Sequence, residues 1–329
     1  MPSLPKPRLR RSARARVDQQ PASTEPNVEV VEHGGLRWIN IERPNTVDRA
    51  WLEEHFDFHP LDYEDVLSRN QRPKIDEYDD YLFIVLYFPV FDKTVGRLNA
   101  AELDIFIGPD YLITLPNTPI PPVEYQFERC RSNVEARDQL LLKGSGYLLY
   151  KIVDDAFDYC FPMLRKIGNK LERIEEDIFE GRSEEVVRDI SNAKQEIINF
   201  RKVIRPQRAV LRDLERTKQR YLSDDMEVYF DDIVDASERI WDMLENYKEV
   251  VEALESTNES VISHRVNEVL RVLTSISVVV LPLTLIASIW GMNVGVPGEN
   301  DHVAFWAVIG CMVALLLGMV GYFRRRGWL

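Results

Sequence analysis

The sequence predicts an α+β chain: an N-terminal α/β domain, a long helical stalk, and two C-terminal helices that cross a membrane. Three observations predict it. Residues 272–298 and 303–323 hold no charged side chain, and each stretch exceeds the roughly 18 apolar residues that mark a spanning helix. No glycine or proline stands between Asp224 and Pro282, so one helix runs unpunctuated into the first apolar stretch. Upstream of residue 140, short apolar runs alternate with turn residues, the texture of strands and short helices.

The domain order follows. Residues 1–27 form a basic, proline-rich tail. Residues 28–140 form the α/β domain, residues 141–271 the helical and stalk region, residues 272–323 the membrane region (about 272–292 and 303–323), and residues 324–329 a basic end. The tail holds Lys6, Arg8, Arg10, Arg11, Arg14 and Arg16, with Pro2, Pro5, Pro7, Pro21 and Pro26 breaking any helix. It predicts disorder, with a weak contact to anionic lipid or an Arg-rich transit peptide as the alternatives, and no apolar stretch follows the arginines to make a secretory signal.

In the α/β domain, residues 36–41 alternate as a strand and residues 81–88 form a longer apolar strand. Residues 103–107 and 111–115 read as a hairpin across Gly108-Pro109-Asp110. Short helices are expected at 47–56, 61–68 and 123–134. Helical spacing then runs from 147 to 180, ended by Gly181, and from 183 to about 220, with a kink expected at Pro206. Residues 226 to about 289 read as one helix, roughly 95 Å long at the helical rise. A helix of that length needs partners along it, which implies an oligomeric stalk.

Charge sets further limits. The chain of 329 residues carries a formal net charge of -13 despite its basic tail. Such a carboxylate excess excludes a nucleic-acid-binding body and suits attraction of cations. Cys130, Cys160 and Cys311 form no CxxC pair and read as reduced packing residues. Arg265 and Arg271 precede the first span, and Arg324, Arg325 and Arg326 follow the second. The link bearing Glu299, Asn300, Asp301 and His302 has no Lys or Arg. Positive charge therefore places both termini in the cytoplasm and the link outside.

On the first spanning helix, Leu270, Thr274, Ser277, Leu281, Thr284 and Ser288 recur at alternating spacings of four and three, a seam of period 3.5. Hydroxyls on such a seam either face a pore or bond to their own backbone and glue helices together. Val278, Val279, Leu283 and Leu285 lie off it and suit lipid or neighbouring helices. At the outer end comes Trp290-Gly291-Met292-Asn293. Gly291 permits an unusual backbone turn, and the Asn293 amide oxygen can meet a cation's hydration shell, as Mg²⁺ sheds water reluctantly. The same tripeptide could merely terminate a helix.

With these residues in view, the sequence resembles the CorA metal-ion transporters. Gly291-Met292-Asn293 at the end of the first of two C-terminal spans matches that family's signature. His59-Pro60-Leu61-Asp62-Tyr63-Glu64-Asp65-Val66-Leu67, Arg72-Pro73-Lys74, Asn267-Glu268-Val269, Pro282-Leu283-Thr284 and the basic Trp-Leu tail are also similar. The match runs from about residue 28 to the end. It implies a homopentameric funnel in the cell (inner) membrane of a bacterium or archaeon. The first span would line the pore, and Gly291, Met292 and Asn293 would form the selectivity filter. Asn267, Leu270, Leu273, Thr274, Ser277, Leu281, Thr284 and Ser288 would line the conduit, with Leu270, Leu273 and Leu281 as apolar constrictions. Mg²⁺ would be both cargo and regulator, with Co²⁺ and Ni²⁺ also carried and no organic cofactor.

In this family, divalent ions between cytoplasmic subunits favour closure through a stalk carboxylate. The equivalent place here is near Ser256, which is not an acid. Glu252, Glu255 and Glu259 are the nearest acids, and they could face Asp79, Asp80 or Asp92 of a neighbour. Equally, they could be solvated or paired. The link 293–298 is somewhat like the zinc-transporting branch, whereas Met292 keeps the Mg²⁺ pattern. A membrane-anchored structural or signalling protein is the other class, but an anchor needs no hydroxyl seam ending in Gly-Met-Asn. No P-loop is present and no nucleophile–base motif points to an enzyme. The membrane potential then suffices as driving force, about 4.6 kcal/mol for a divalent ion across 100 mV. Acids at 172–180 and 224–235 read as solvated faces that could also concentrate cations. The five histidines show no ligand spacing for zinc.

Overall fold

The computed structural model of the chain describes residues 25–68, 71–92, 97–180, 183–217, 226–292 and 302–328. The expected tail disorder, Gly181, Asp224, Asp225, Asn293, Glu299, Asn300 and Asp301 lie outside the described residues. The chain divides into two compact units, one from Met1–Lys170 and Asn192–Glu249, the other from Leu171–Ser191 and Val250–Leu329.

The first unit is built on a six-stranded sheet of order β1-β2-β6-β5-β4-β3. Its strands are β1 (Glu29–His33), β2 (Leu36–Asn40), β3 (Lys74–Glu77), β4 (Leu82–Asp92), β5 (Arg97–Ile107) and β6 (Tyr111–Pro116). Only the β2–β6 pair is parallel. The hairpin expected across Gly108-Pro109-Asp110 joins β5 to β6, with Gly108 N donating to Tyr111 O at 3.0 Å. β1 and β3 were not expected. Both are edge strands with mixed polar residues, so neither carries the alternation that marks a half-buried strand.

Helices cover both faces, and this explains the unbroken apolar run in β4. Alternate residues Phe83 and Val85 join Ile39, Ile41, Leu52, Phe58, Val66, Phe106, Ile113 and Leu115 in one cluster, under α1 (Thr46–His55) and α2 (Pro60–Leu67). On the other face, Trp38 meets Phe127 edge-on at 5.1 Å and Phe88 meets Phe157 at 5.5 Å. Those partners come from α3 (Pro121–Ser132) and α5 (Ser145–Asp158). A strand buried on both faces reads as continuous hydrophobe. α1 begins in a capping box: Asn45 Oδ1 accepts from Val47 N at 2.7 Å, and Asp48 returns to Asn45 N at 2.9 Å.

Two helix expectations are corrected. The stretch 123–134 is two helices, α3 and α4 (Val134–Leu140), separated by Asn133, whose side chain caps α4 at Glu135 N. The stretch 147–180 breaks at Tyr159 into α5 and α6 (Cys160–Glu180). Pro162 has no N–H to offer the Asp158 carbonyl, so the hydrogen-bond ladder cannot run on there. α7 (Ser183–Arg216) continues through Pro206. Its next residue, buried Gln207, is the reason this turn matters. Gln207 Oε1 accepts from Tyr87 N at 2.8 Å and its Nε2 donates to Tyr87 O at 2.5 Å. The amide thus completes β4 beyond the end of short β3.

α8 runs from Glu227 to Trp290 as one 64-residue helix, close to the expected 226–289, and α9 spans His302–Arg325. Within the first unit, Arg201 and Arg208 lie over the Trp241 ring at 5.0 and 5.1 Å. Arg208 and Arg212 both pair with Glu238. Burial pushes the Glu238 carboxyl up, but the two guanidiniums outweigh it and hold it below the usual range. In the second unit, Leu171, Ile174 and Ile178 of α6, Val186 and Ile190 of α7, and Val251 and Leu254 of α8 are buried. Glu172, Glu175, Glu176 and Glu180 lie on the exposed face of α6, as expected of a solvated charge run. Cys130 and Cys160 are buried, and burial raises the Cys130 thiol to about 11.

Candidate pore and metal sites

α8 and α9 are both long and apolar enough to cross a membrane, and their apolar windows are hardly buried within the chain. In water that exposure would be intolerable; in a bilayer it is ordinary. The side of α8 turned to α9 carries Ile276, Val279 and Val280, which line a groove with Val320 and Arg324. The seam lies about a third of a turn round the helix from that side at 100° per residue. Asn267, Leu270, Thr274, Ser277, Leu281, Thr284 and Ser288 are all exposed in the single chain, Leu270 by 52% and Leu281 by 66%. Leu273 is exposed too, but it lines a groove with Gly327 and Trp328, so it sits on the flank of the seam nearer α9.

Two of the seam hydroxyls bond to their own backbone, one of the two readings left open for them. Ser277 Oγ donates to Leu273 O at 2.9 Å and Thr284 Oγ1 to Val280 O at 2.9 Å. A hydroxyl has one proton and two lone pairs. Spending the proton on the helix leaves an outward oxygen that can only accept. Such a surface suits the water of a hydrated cation.

At the helix end, Gly291 does not make the unusual turn expected of it. Among the described residues the glycines with positive φ are Gly34, Gly35, Gly144 and Gly327. Gly291 N still donates to Ala287 O at 2.9 Å, and Met292 N to Ile289 O at 3.4 Å. A Cβ at Gly291 would stand 3.1 Å from the Ala287 carbonyl, so glycine there permits a close last turn. Met292 is exposed.

The acids expected to meet across subunits lie on separate elements of the chain. Glu252 and Glu259 are exposed on α8 and Glu255 is half-buried there; Asp79 and Asp80 occupy the β3–β4 turn and Asp92 ends β4. The groups of three carboxylates within metal-binding reach, among the described residues, are instead Asp62, Asp65 and Asp76, and Asp154, Asp155 and Asp158.

The first group explains the His59–Leu67 and Arg72–Lys74 segments. Lys74 Nζ, 5.1 Å from the Phe83 ring centre, donates to Asp65 at 2.7 Å and also to Asp76. Gln71 donates to Asp65 at 2.9 Å. Tyr78 and Tyr81 hydroxyls donate to Asp62 at 3.1 and 2.8 Å. Burial raises the Asp62 carboxyl, against the pull of those two tyrosines and Lys74. Burial lowers the Lys74 ammonium, but its two carboxylate bonds outweigh that and leave it raised. An internal ammonium therefore stands where a metal ion could. Nearby on β5, buried Asp104 leaves Oδ1 without a hydrogen bond, and burial with the Glu102 charge raises its carboxyl well above the usual range. The sequence named Lys74 only within a motif, because β3 gave no strand signal to place it, and it gave no sign that Gln71 and Asp104 would lie beside it.

Comparison with known proteins places these features together. The profile of the family described as CorA-like Mg2+ transporter protein matches residues 33–325. A cobalt/magnesium transport protein CorA of Thermotoga maritima is 32% identical over 296 residues, covering 89% of this chain and 83% of that one. A putative metal ion transporter, YfjQ, of Bacillus subtilis is 30% identical, covering 92% and 93%. The complete structure of the CorA magnesium transporter from Methanocaldococcus jannaschii superposes with a TM-score of 0.78 at 23% identity, covering 89% of this chain and 92% of that one.

Proposed function

The chain belongs to the CorA-like Mg2+ transporter family, and from that premise we propose that it conducts Mg²⁺, with Co²⁺ and Ni²⁺ as further cargo, into the cell down the membrane potential. One observation carries the reading. A spanning helix presents Thr274, Ser277, Thr284, Ser288 and two leucines on a single exposed seam away from α9, and the Ser277 and Thr284 hydroxyls donate to the helix itself. Brought together around an axis, such seams make an acceptor-lined conduit interrupted by leucine rings. The acceptors solvate a hydrated ion, and the leucine rings block it by dewetting when narrow. We take the assembly to be a homopentamer with both termini in the cytoplasm, on the grounds of the resemblance and the arginine distribution.

Gly291, Met292 and Asn293 form the outer filter in this reading, with Asn293 offering a neutral oxygen to the hydrated ion. The experiment is uptake by liposomes holding the purified chain, with a Mg²⁺-sensitive dye inside and a potassium diffusion potential imposed. Uptake should rise with an inside-negative potential and collapse in Asn293→Ala while the oligomer stays intact. Flux in Asn293→Ala equal to that of the unaltered chain would remove the filter assignment. Absence of any metal flux in the unaltered chain would favour a membrane anchor instead.

A further inference from the structure

The first unit carries a groove that ion conduction does not use. It has a volume of about 400 Å³ and is lined by Pro121, Pro122, Tyr125, Gln126, Asp155 and Tyr159. Tyr125 is 67% exposed, which is unusual for a tyrosine in a groove and leaves its ring face open. One wall is acidic. Asp155 stands with Asp154 and Asp158, their carboxylate oxygens within 4.8 Å of one another. Lys151 pairs with Asp154 and Asp155, both at 2.8 Å, and leaves exposed Asp158 without that cation. Burial, then the Asp154 charge, raises the Asp158 carboxyl, and the Asp232 charge adds to this. The patch thus has four carboxylates against one ammonium.

We propose that this groove holds the chain's own N-terminal tail, the Arg- and Pro-rich segment before residue 25. Charge complementarity comes first. Residues 6–16 hold Lys6, Arg8, Arg10, Arg11, Arg14 and Arg16 with no acid. Guanidiniums bind carboxylates in bidentate fashion and stack on tyrosine faces. The prolines suit a wall of tyrosine and proline, the surface that recognises extended Pro-rich segments.

The attachment point comes second. Asn27 N donates to Asp48 Oδ1 at 2.7 Å, and Asn27 Nδ2 donates to Glu42 O at 3.5 Å. Glu42 in turn neighbours Glu124, which adjoins Tyr125 on α3. The tail therefore leaves the domain beside the helix that walls the groove. Eleven residue steps lead from Arg16 to Asn27, enough for roughly 36 Å of extended chain.

The test puts a photo-reactive benzoylphenylalanine at Tyr125 in the full-length chain, reconstituted in nanodiscs. Irradiation should cross-link it to residues 6–16 at monomer mass. The yield should fall about tenfold in 0.5 M NaCl, where exposed charges are screened beyond a few ångströms. Replacing Arg8, Arg10 and Arg11 by Ser should abolish it, and Asp158→Asn, at an exposed site, should weaken it with the melting temperature unchanged. Cross-links only to a second chain assign the groove to another copy and overturn the proposal. Cross-links only to lipid, or a yield indifferent to these substitutions and to salt, overturn it as well.

Discussion

The knot around Asp65 and the seam on α8 are both built from polar groups spaced along short stretches of sequence, yet they end in opposite states. In the knot, Asp62 receives two tyrosine hydroxyls and Asp65 receives Gln71 and Lys74, and the parts close on one another within a single chain. On the seam, Ser277 and Thr284 satisfy only their protons and leave the rest outward, among leucines that nothing in the chain covers. A buried polar group left without a partner costs about 1–3 kcal/mol, so a fold closes such groups wherever it can. A surface that stays open along one face of a spanning helix is one the single chain does not complete. The first region is finished by folding. The second, in the function proposed above, awaits assembly and the ion.

The sharpest break in that comparison comes from the knot. Asp62→Ala removes the acceptor of one buried and one half-buried hydroxyl and should destabilise the first unit by roughly 2–4 kcal/mol. Urea denaturation of the detergent-solubilised chain, followed by tyrosine fluorescence, measures it. Transport by the protein that still folds should be unchanged. A flux defect at full stability would move the knot from scaffold to ion site.

Next in size is the seam. Leu270→Asn should raise the leak of the closed state several-fold, because a polar ring no longer dewets the constriction. Leu273→Asn, on the α9 flank, should do so less. Equal leaks from both would place Leu273 on the seam after all, and no leak from either would take the leucines out of the pore. A smaller effect is expected in the stalk. With Glu252, Glu255 and Glu259 all changed to Gln, the Mg²⁺ midpoints of protease protection and flux inhibition should move upward, since an ion biases a gate only by its differential affinity. An unmoved midpoint would mean that these acids are not the sensor.

How legible each region was follows from the same contrast. Long one-dimensional features could be read directly: the unpunctuated run to Pro282 is α8, the charge-free stretches are the apolar parts of α8 and α9, and the 103–115 pattern is the β5–β6 hairpin. The seam was legible because a helix converts spacing into a face. Features that depend on distant partners were not. Gln207 completes Tyr87 from 120 residues away, and nothing local to either announces it. Lys74 reaches Asp65 only because β3 pairs with β4, and β3 is too short and polar to be seen. The break at Tyr159 was within reach, since Pro162 is in the sequence, but a proline in a helix's first turn is tolerated and the apolar spacing hides it.

The smallest expected effect tests the one part of the knot's neighbourhood that folding leaves open. Asp104 is buried with Oδ1 unpartnered, and burial and the Glu102 charge raise its carboxyl well above the ordinary range. The sign follows from linkage. In the unfolded chain the group titrates near its usual value of about 3.9. In the folded chain it holds its proton to higher pH, so the native state binds more protons across that interval. The stabilisation is complete below the unfolded value and is lost as pH rises through the folded one. Asp104→Asn cannot ionise and lacks this slope. Its melting temperature should therefore match or exceed that of the unaltered chain by a few degrees at pH 8, on the order of 1 kcal/mol for a domain of this size. The gap should close as pH falls toward 4. Comparing the two chains at each pH cancels the other titrating groups. A constant gap from pH 4 to 8 would mean that Asp104 ionises in the folded chain as readily as in the unfolded one. A variant less stable at pH 8 would mean that the carboxylate has a partner, and that this region is as fully closed as the knot beside it.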